Sequence, residues 1–335
     1  MSLSDAPGAP PDETDKIMLS DLPESRKVTT YFLCSEKEVA TARTGGAFLR
    51  LKLRDASGEI KAIHFDPSPE NLEQLEAGDV VKVEGMIQTS PQFGQQFKVE
   101  RLRRMQADEY DAAALVAVSP VQLDELQERL RALVESVVSA PVRALLERAV
   151  DPSSEPGAAF AIAPAAVMNH HAYRHGLLEH SIIVAEVAGE VASHFAGVNR
   201  DLVVAGALLH DIGKTQAYST DPFAPGFTDT GRLHGEIVIG HDMVAALIAE
   251  VPDFPAEPAA QLRHIIVAHH GQKEKGSPVI PMTREAIIVH FCDDMTARVG
   301  AFDEIERASN GRERWSAFNR MLDTRAYLGP RDGGD

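Results

Sequence analysis

The sequence predicts a multidomain protein in which a small N-terminal β-barrel is followed by an all-α helical bundle. Residues 26–105 contain short segments in which apolar and polar residues alternate, separated by turn signals, which is typical of β-strands. From residue 167 to about residue 325, apolar residues recur instead at the spacing of one helix face. The length of 335 residues leaves room for both domains.

The chain begins with a segment that has little apolar surface to bury. Residues 1–25 are rich in Pro, Asp, Glu and Ser, and we expect a disordered tail there. They lack the basic and apolar regions of a secretory signal, and no apolar stretch of the chain is long enough to span a bilayer. Cys34 and Cys292 lie far apart among apolar residues, which indicates buried free thiols. These features predict a cytoplasmic protein.

The barrel is predicted from the order of its strand signals. The clearest alternation is formed by Phe48, Leu49, Arg50, Leu51, Lys52, Leu53 and Arg54. A turn signal at 55–58, a returning strand, a short helix and two further strands separated at Gly94 follow. This order of elements within one small barrel resembles an OB-fold.

An OB-fold offers a surface on which aromatic rings stack on bases and basic side chains contact phosphates. The candidates for nucleic-acid binding are Phe48, Arg50, Lys52, Phe93, Phe97 and Lys98. The alternative is that the rings form the barrel core and the basic residues form a solvated face. The net charge of −17 argues against a general nucleic-acid coat. Residues 26–105, however, contain 13 Lys and Arg against 11 Asp and Glu, a balance of +2, so the acidity lies elsewhere.

Residues 106–166 are predicted as a helical linker between the two domains. Apolar residues recur at helical spacing from Leu123 to Val137, and Pro141 divides the segment into two helices. A loop is expected at 151–166. The remaining predicted boundaries are a helical bundle at 167–325, loops within it at 219–233 and 271–283, and a tail at 326–335.

The bundle contains two features that predict a metal site. His180 lies four residues before Val184 on an apolar face, so we expect it to be buried; a neutral histidine with one hydrogen bond is the alternative. The apolar segment 201–214 carries His210 and Asp211 side by side near its end. A buried carboxylate without a partner is costly, and a metal ion bound by both residues removes that cost, although an internal His–Asp hydrogen bond is also open. Gly213 is expected to end the helix.

Further histidines and carboxylates follow along the bundle. Nine of the thirteen histidines of the chain fall between residues 180 and 290. The additional candidates are His234, Glu236, His241, His264, His269, His270, His290, Asp293 and Asp294. Such groups at the ends of apolar helices are typical of a bundle that encloses one or two divalent ions. The mixed nitrogen and oxygen donors suit Mn, Mg, Fe, Co, Ni or Zn and do not select among them.

The order of these residues resembles a known family. His180, the pair His210–Asp211 and Asp293 are similar to the H…HD…D signature of the HD phosphohydrolase superfamily. The segments HHAYRHGLLEHS, LLHDIGKT, IVIGH, AHHGQ and GSPVIPMTREA resemble those of the YhaM-type 3′→5′ exoribonucleases. Members of that family join an N-terminal OB-fold to an HD domain, which is the order predicted here for about residues 26–300.

The resemblance implies a metal-dependent phosphodiesterase that shortens single-stranded RNA, with ssDNA as a further substrate and manganese as the expected ion. The metal ligands that it implies are His180, His210, Asp211, Asp293 and one or both of His269 and His270. Glu236 and His241 are candidates for a second ion, and Asp211 is also a catalytic candidate. Lys214 and Arg174 are candidates for the scissile phosphate. Tyr173 is a candidate for stacking on the terminal base, with packing at a helix start as the alternative.

The sequence departs from the family pattern at three places. Arg174 and His175 stand where two glycines are common. Glu236 occupies a position often held by histidine, which leaves the middle ligand open among Glu236, His234 and His241. Thr296 replaces a frequent aspartate, so the ligand role is expected at Asp293.

Two other functions remain open at this point. One is an HD nucleotidase or cyclic-nucleotide phosphodiesterase with a regulatory OB-fold, which the overall negative charge favours. The other is a non-catalytic nucleic-acid-binding protein, against which the presence of His180, His210 and Asp211 argues. A homo-oligomer is also open.

Overall fold

The computed structural model describes residues 16–42, 45–90, 94–166, 173–219, 221, 223, 226–309 and 313–330. It divides into two compact units, of which the first comprises residues 1–117 with 221–224 and the second comprises residues 118–220 with 225–335. None of the helices in the described ranges combines the length and the apolar character needed to cross a membrane.

The first unit is a closed five-stranded barrel, as predicted. Its elements are β1 (Val28–Thr41), β2 (Ala47–Asp55), β3 (Gly58–His64), α1 (Pro69–Glu73), β4 (Val80–Ser90) and β5 (Gly94–Arg104). The strand order is β1-β2-β3-β5-β4. The long strand β1 pairs with β4 through its first half and with β2 through its second half, and a parallel pairing of β3 with β5 closes the barrel. This arrangement confirms the predicted OB-fold.

The alternation in β2 forms the wall of the barrel. Leu49, Leu51 and Leu53 point into the core, whereas the basic residues between them face outward. Phe97 is fully buried among these leucines, and its ring meets that of Phe32 edge to face at 6.0 Å. A ring enclosed on both faces has no surface on which a base can stack. Phe97 therefore belongs to the core, which corrects its assignment to the nucleic-acid surface.

Part of the predicted tail packs on the barrel. Leu22 is buried in the barrel core, and Ile17 packs against it. Lys16 Nζ lies 2.6 Å from Oδ2 of Asp55, a carboxylate that is itself buried. The structured part of the chain therefore begins earlier than predicted. Two apolar side chains and one ion pair do not stand out in the composition of a polar segment, which is why the sequence did not indicate these contacts.

The second unit is helical apart from a terminal hairpin. Its elements are α2 (Leu123–Glu135), α3 (Ala140–Val150), α4 (Glu155–Ile162), α5 (Gly176–Ser193), α6 (Arg200–Leu209), α7 (Lys214–Ala217), α8 (Asp229–His234), α9 (Glu236–Ala249), α10 (Ala256–Ala268), α11 (Arg284–Ala308), β6 (Trp315–Asn319) and β7 (Thr324–Tyr327). The helical bundle is as predicted. The expectation of an all-helical pattern to about residue 325 is wrong for β6 and β7, which pair antiparallel.

One hydrophobic core joins helices α2 to α6 with α9, α10 and α11. The predicted linker thus shares its core with the bundle through side chains such as Leu126, Leu145 and Phe160. The expected loop at 151–166 is wrong because it contains α4, which begins where the Ser154 hydroxyl accepts the backbone N–H of Gly157. Helices α5 and α6 contribute many of the side chains of this core, and they position the predicted metal ligands His180, on α5, and His210, directly after α6.

Candidate metal centre

The pair His210–Asp211 lies at the buried end of α6. Residues 202–209 are buried throughout, because the helix is apolar on every side. The helix ends at Leu209, and His210 and Asp211 follow immediately, with exposed fractions of 1% and 2%. A histidine and an ionisable carboxylate are thus placed in the interior of the bundle, as the sequence predicts.

Two histidines are held in the same way at the ends of two helices. The ring Nδ1 of His210 contacts the backbone carbonyl of Ala207 at 2.7 Å, and that of His269 contacts the carbonyl of Ile266 at 2.7 Å. A carbonyl only accepts, so each Nδ1 donates its proton and each Nε2 is left to face the interior. Metal-binding histidines are commonly held in this orientation, with one ring nitrogen bonded to the protein and the other free to bind the ion.

The inward-facing nitrogens converge on two carboxylates. His180 Nε2 lies 3.1 Å from Asp293 Oδ1, and His210 Nε2 lies 3.2 Å from Asp211 Oδ2. His269 Nε2 lies 3.5 Å from the other oxygen of Asp211. Helices α5 and α11 and the ends of α6 and α10 therefore bring together five side chains from four separate segments of the sequence.

These side chains form two adjacent groups of potential ligands. The ligand atoms within each group all lie within 4.8 Å of one another. One group consists of His180, His210 and Asp293, and the other of Asp211, His269 and His270. These six residues are the ones that the family resemblance implies as ligands, and the geometry suits one or two ions.

The centre contains polar atoms whose bonding capacity is not used. His210 Nε2, Asp211 Oδ1 and His269 Nε2 are buried and have no hydrogen-bond partner. An unsatisfied buried polar atom costs about 1–3 kcal/mol, so three in one place need a common partner. A divalent ion accepts lone pairs from imidazole nitrogen and carboxylate oxygen alike. The residues present therefore fit a metal ion.

The electrostatics of the centre favour a cation. Burial raises the pKa of Asp211, but Lys214, whose Nζ lies 2.6 Å from Oδ2, and His210 outweigh burial and hold it well below its usual range. The pKa of Asp293 is lowered in the same way by His210 and His180. Burial lowers the pKa of His210, yet the two carboxylates raise it to about 10. Without a metal ion, His210 therefore holds an additional proton at neutral pH.

Glu236 lies beside the second group of ligands. Its Oε1 is 4.0 Å from Nε2 of His270, whose Nδ1 contacts the backbone carbonyl of Lys275 at 2.9 Å. Glu236 is the first residue of α9, and it is not a member of either ligand group among the described residues. The structure thus places it next to the centre but does not join it to the ligands.

The close approach of α9 depends on Gly213. A Cβ at this position would lie 2.0 Å from the carbonyl oxygen of Glu236 and 2.5 Å from the backbone nitrogen of Gly240. The backbone of Gly213 is right-handed, with φ −61° and ψ −21°, which other residues adopt readily. The expectation that Gly213 is needed to end the helix is therefore wrong, because its role is to let α9 pack on the His210–Asp211 turn.

Other predicted site residues lie outside the cluster. His241 uses both ring nitrogens elsewhere, with Nδ1 3.1 Å from Asp242 Oδ1 and Nε2 accepting from Arg263 Nε at 3.0 Å. It is therefore corrected from a ligand to a surface residue. Arg174 is exposed, and its carbonyl accepts from the backbone of Ser119. Neither geometry brings these side chains to the ligand groups.

The segment before α5 contains a residue whose backbone conformation favours glycine. His175 has a left-handed backbone, with φ 69°, which favours glycine. Its buried ring compensates through a hydrogen bond from Nδ1 to the carbonyl of Ala161. Tyr173 donates from its hydroxyl to Glu179 Oε2 at 2.8 Å, which agrees with the packing role at the start of the helix.

His290, a candidate from the sequence, supports the centre from outside the two ligand groups among the described residues. His290 on α11 contacts the carbonyl of His269 through Nδ1 at 2.7 Å, and its ring packs directly on Gly271. It therefore holds the end of α10, from which His269 points inward. Its position three residues before Asp293 is the signal that would have identified it, since helical residues three apart share a face.

The candidate surface of the barrel keeps two of the predicted residues, Phe48 and Arg50, and adds Phe65. Phe48 is 8% exposed and stands against Phe65, which is 56% exposed, at a ring distance of 5.7 Å. Arg50 lies over the Phe48 ring at 5.4 Å. Phe65 is thus the accessible ring, and it was not among the residues predicted to bind nucleic acid. The other predicted residues are the paired Lys52, the half-buried Lys98 and Phe93, which lies outside the described residues.

Comparison with known proteins gives a consistent result for both units. Residues 177–298 match the HD domain family, and residues 35–104 match the family described as OB-fold nucleic acid binding domain. The 3′-5′ exoribonuclease YhaM of Bacillus velezensis is 31% identical over 94% of this chain and 98% of its own length. The protein of the same name from Halalkalibacterium halodurans is 30% identical over 90% of this chain and 92% of its own length.

Among solved structures, the second OB-fold domain of replication protein A from Methanococcus maripaludis matches 27% of this chain and 95% of its own length. The identity is 18% and the TM-score is 0.23.

Proposed function

The chain belongs to the family of YhaM 3′-5′ exoribonucleases, and on that premise we propose that it removes nucleotides from the 3′ end of single-stranded RNA by metal-dependent hydrolysis. The observation that carries the proposal is the buried convergence of three histidine Nε2 atoms on Asp211 and Asp293. A structural His–Asp cluster needs its hydrogen bonds satisfied, whereas this one leaves two such nitrogens without a partner.

The two ligand groups have distinct roles in this proposal. His180, His210 and Asp293 would hold one ion, and Asp211, His269 and His270 would hold a second or share the first. A bound divalent ion supplies positive charge that activates water and stabilises the oxygen that leaves from phosphorus. The carbonyls of Ala207 and Ile266 fix the two rings so that their nitrogens do not have to reorient.

Lys214 acts on Asp211 rather than on the phosphate in this proposal. Its ammonium lies 2.6 Å from the Asp211 carboxylate, and burial lowers its pKa, but the charge of Asp211 outweighs burial and raises it. The group therefore stays protonated at neutral pH. It keeps Asp211 ionised and fixes one carboxylate oxygen, which leaves Oδ1 for the ligand role.

We also carry forward the finer expectations from the sequence. Manganese is the expected ion, since the mixed nitrogen and oxygen donors suit it. ssDNA is a second substrate class, because the aromatic and basic barrel surface around Phe48, Arg50 and Phe65 does not itself require a 2′-hydroxyl. We also propose a cytoplasmic location and a homo-oligomer. Light scattering of the purified protein measures the number of subunits.

The test uses end-labelled RNA and a matched pair of histidine variants. The wild-type protein with MnCl₂ is expected to shorten 5′-labelled single-stranded RNA progressively from its 3′ end. His210→Ala removes a buried ligand and should lower the rate by about a hundredfold or more. His194→Ala, at an exposed position at the end of α5, should leave the rate unchanged. Intact RNA with the wild-type protein, or equal rates for His210→Ala and wild type, would contradict the proposal.

A further inference from the structure

A cavity of about 310 Å³ borders the metal centre. His270, a member of the second ligand group, is one of the residues that line it. The lining residues are His234, Gly235, Glu236, Ile237, Val238, His270, Lys275, Gly276 and Pro278. Among these lining residues, Glu236 supplies the carboxylate and Lys275 the ammonium group. The volume is at the lower end of small-molecule sites and suits one nucleotide.

The carboxylate of Glu236 lies beside the centre but is not bonded to it. His270 donates from Nδ1 to the carbonyl of Lys275, which leaves Nε2 for its role in the second ligand group. Oε1 of Glu236 lies 4.0 Å from this nitrogen, which is too far for a direct hydrogen bond. The carboxylate therefore keeps acceptor capacity for a ligand that donates, and a hydroxyl group is such a ligand.

The position of Glu236 favours a substrate role over a metal role. Six other donors already form the two ligand groups, and Glu236 is a member of neither among the described residues. Its carboxylate stands at the start of α9, on the wall of the cavity. Carboxylates bind ribose hydroxyls in other nucleotide sites, where the acidic group accepts from the sugar. At the 3′ end of RNA, the terminal ribose carries two adjacent hydroxyls.

We propose that Glu236 accepts hydrogen bonds from the 2′- and 3′-hydroxyls of the terminal ribose and so makes the protein prefer RNA over DNA at the 3′ end. The inference rests on the proposed exonuclease function and adds the residue that selects the sugar. The 2′-hydroxyl distinguishes RNA from DNA in protein recognition generally. Lys275, whose Nζ is paired with Asp294 at 3.1 Å, gives the same cavity a positive group near the nucleotide phosphate.

The first experiment compares two oligonucleotides that differ in one atom. Both are single-stranded RNA, and one ends in a 2′-deoxynucleotide. The wild-type protein should remove the ribonucleotide faster, and Glu236→Gln should reduce that preference about tenfold, as expected for losing a hydrogen bond to a charged group. Glu274→Gln removes a carboxylate from the nearby exposed turn outside the cavity lining and should keep the wild-type preference.

Binding measurements separate this inference from the proposed function. Calorimetry with adenosine 5′-monophosphate and its 2′-deoxy analogue should show tighter binding of the ribose form by wild type and a smaller difference for Glu236→Gln. Calorimetric titration with Mn²⁺ should give the same affinity for both proteins. A loss of Mn²⁺ affinity in Glu236→Gln would overturn the inference, because it would make Glu236 a metal ligand.

The remaining outcomes are also decisive. If the wild-type protein shortens RNA but removes both terminal sugars at the same rate, the inference is wrong and the proposed function stands. If it shortens neither oligonucleotide, the proposed function is wrong. The calorimetric affinities for the two mononucleotides then test the role of Glu236 without any cleavage. Equal affinities for them would overturn the inference.

Discussion

Gly213→Ala tests whether the close contact between α9 and the His210–Asp211 turn shapes the centre. The added Cβ would lie 2.0 Å from the carbonyl oxygen of Glu236, whereas ordinary contacts begin near 3.4 Å. Both groups that it meets are backbone, so rotating a side chain does not relieve the clash. Helix α9 would have to retreat by about 1.4 Å at this point.

The energetic consequence follows from the cost of overpacking. An extra carbon forced into a packed site costs about 1–3 kcal/mol, and 1 kcal/mol lowers the Tm of a unit this size by about 2–4 °C. Calorimetry should therefore show a fall of roughly 2–12 °C for the helical unit. The retreat of α9 should also withdraw Glu236 from His270 and weaken nucleoside monophosphate binding.

The control is a glycine of the same unit with free space around it. A Cβ added at Gly226 meets nothing within 4 Å, so Gly226→Ala should leave the Tm unchanged or slightly raised. Equal melting temperatures for Gly213→Ala and Gly226→Ala would refute the reasoning.

Three further results are expected. Phe65→Ala should weaken the binding of single-stranded RNA by about 1–3 kcal/mol in an anisotropy titration and leave the stability of the barrel unchanged. Phe97→Ala should instead destabilise the barrel by about 3–5 kcal/mol in denaturant melts. Similar RNA affinities for wild type and Phe65→Ala would rule out the surface around Phe65. Because the carboxylates raise the pKa of His210 to about 10 in the absence of metal, binding of an ion displaces a proton. Mn²⁺ affinity should therefore rise with pH from about 6.5 to 10, by up to tenfold per unit, and an affinity that is constant over this range would contradict the ligand role. Lys214→Met should lower the Tm of the metal-free protein, because it leaves Asp211 buried without its cation, and added Mn²⁺ should restore the Tm. A metal-free variant with the Tm of wild type would contradict the ion pair between Lys214 and Asp211.

The sequence predicted the burial of the candidate His–Asp cluster well because the signal for burial is local. His210 and Asp211 follow a segment that is apolar on every side, so burial of both groups could be inferred without knowing what they face. His269 could be inferred in the same way from the apolar face of α10. Which of Glu236, His234 and His241 approaches the centre could not be inferred, because it depends on how α9 packs on Gly213, and packing between distant segments leaves no periodic signal.

Other differences have equally specific causes. Phe97 alternates with polar neighbours like a surface residue, but in a closed barrel one face of every strand becomes core, and periodicity alone does not say which face is inside. Helix α4 was missed because Pro156 and Gly157 are turn signals, although Pro is favoured in the first turn of a helix. The β6–β7 hairpin lies beyond the segment where the resemblance is strongest.

The hydrogen bond between His180 and Asp293 joins residues 113 positions apart. Ions bound at the centre would tie the ends of this segment together and, through His210 and His269, divide it into three shorter loops. Because these ligands come together only in the folded chain, each ion binds the folded state and adds its binding free energy to the stability of this segment. Supply of the metal would then set how long α6 to α10 resist proteolysis as well as whether the centre can hydrolyse RNA. After removal of the metal with a chelator, limited proteolysis should cut within these helices first.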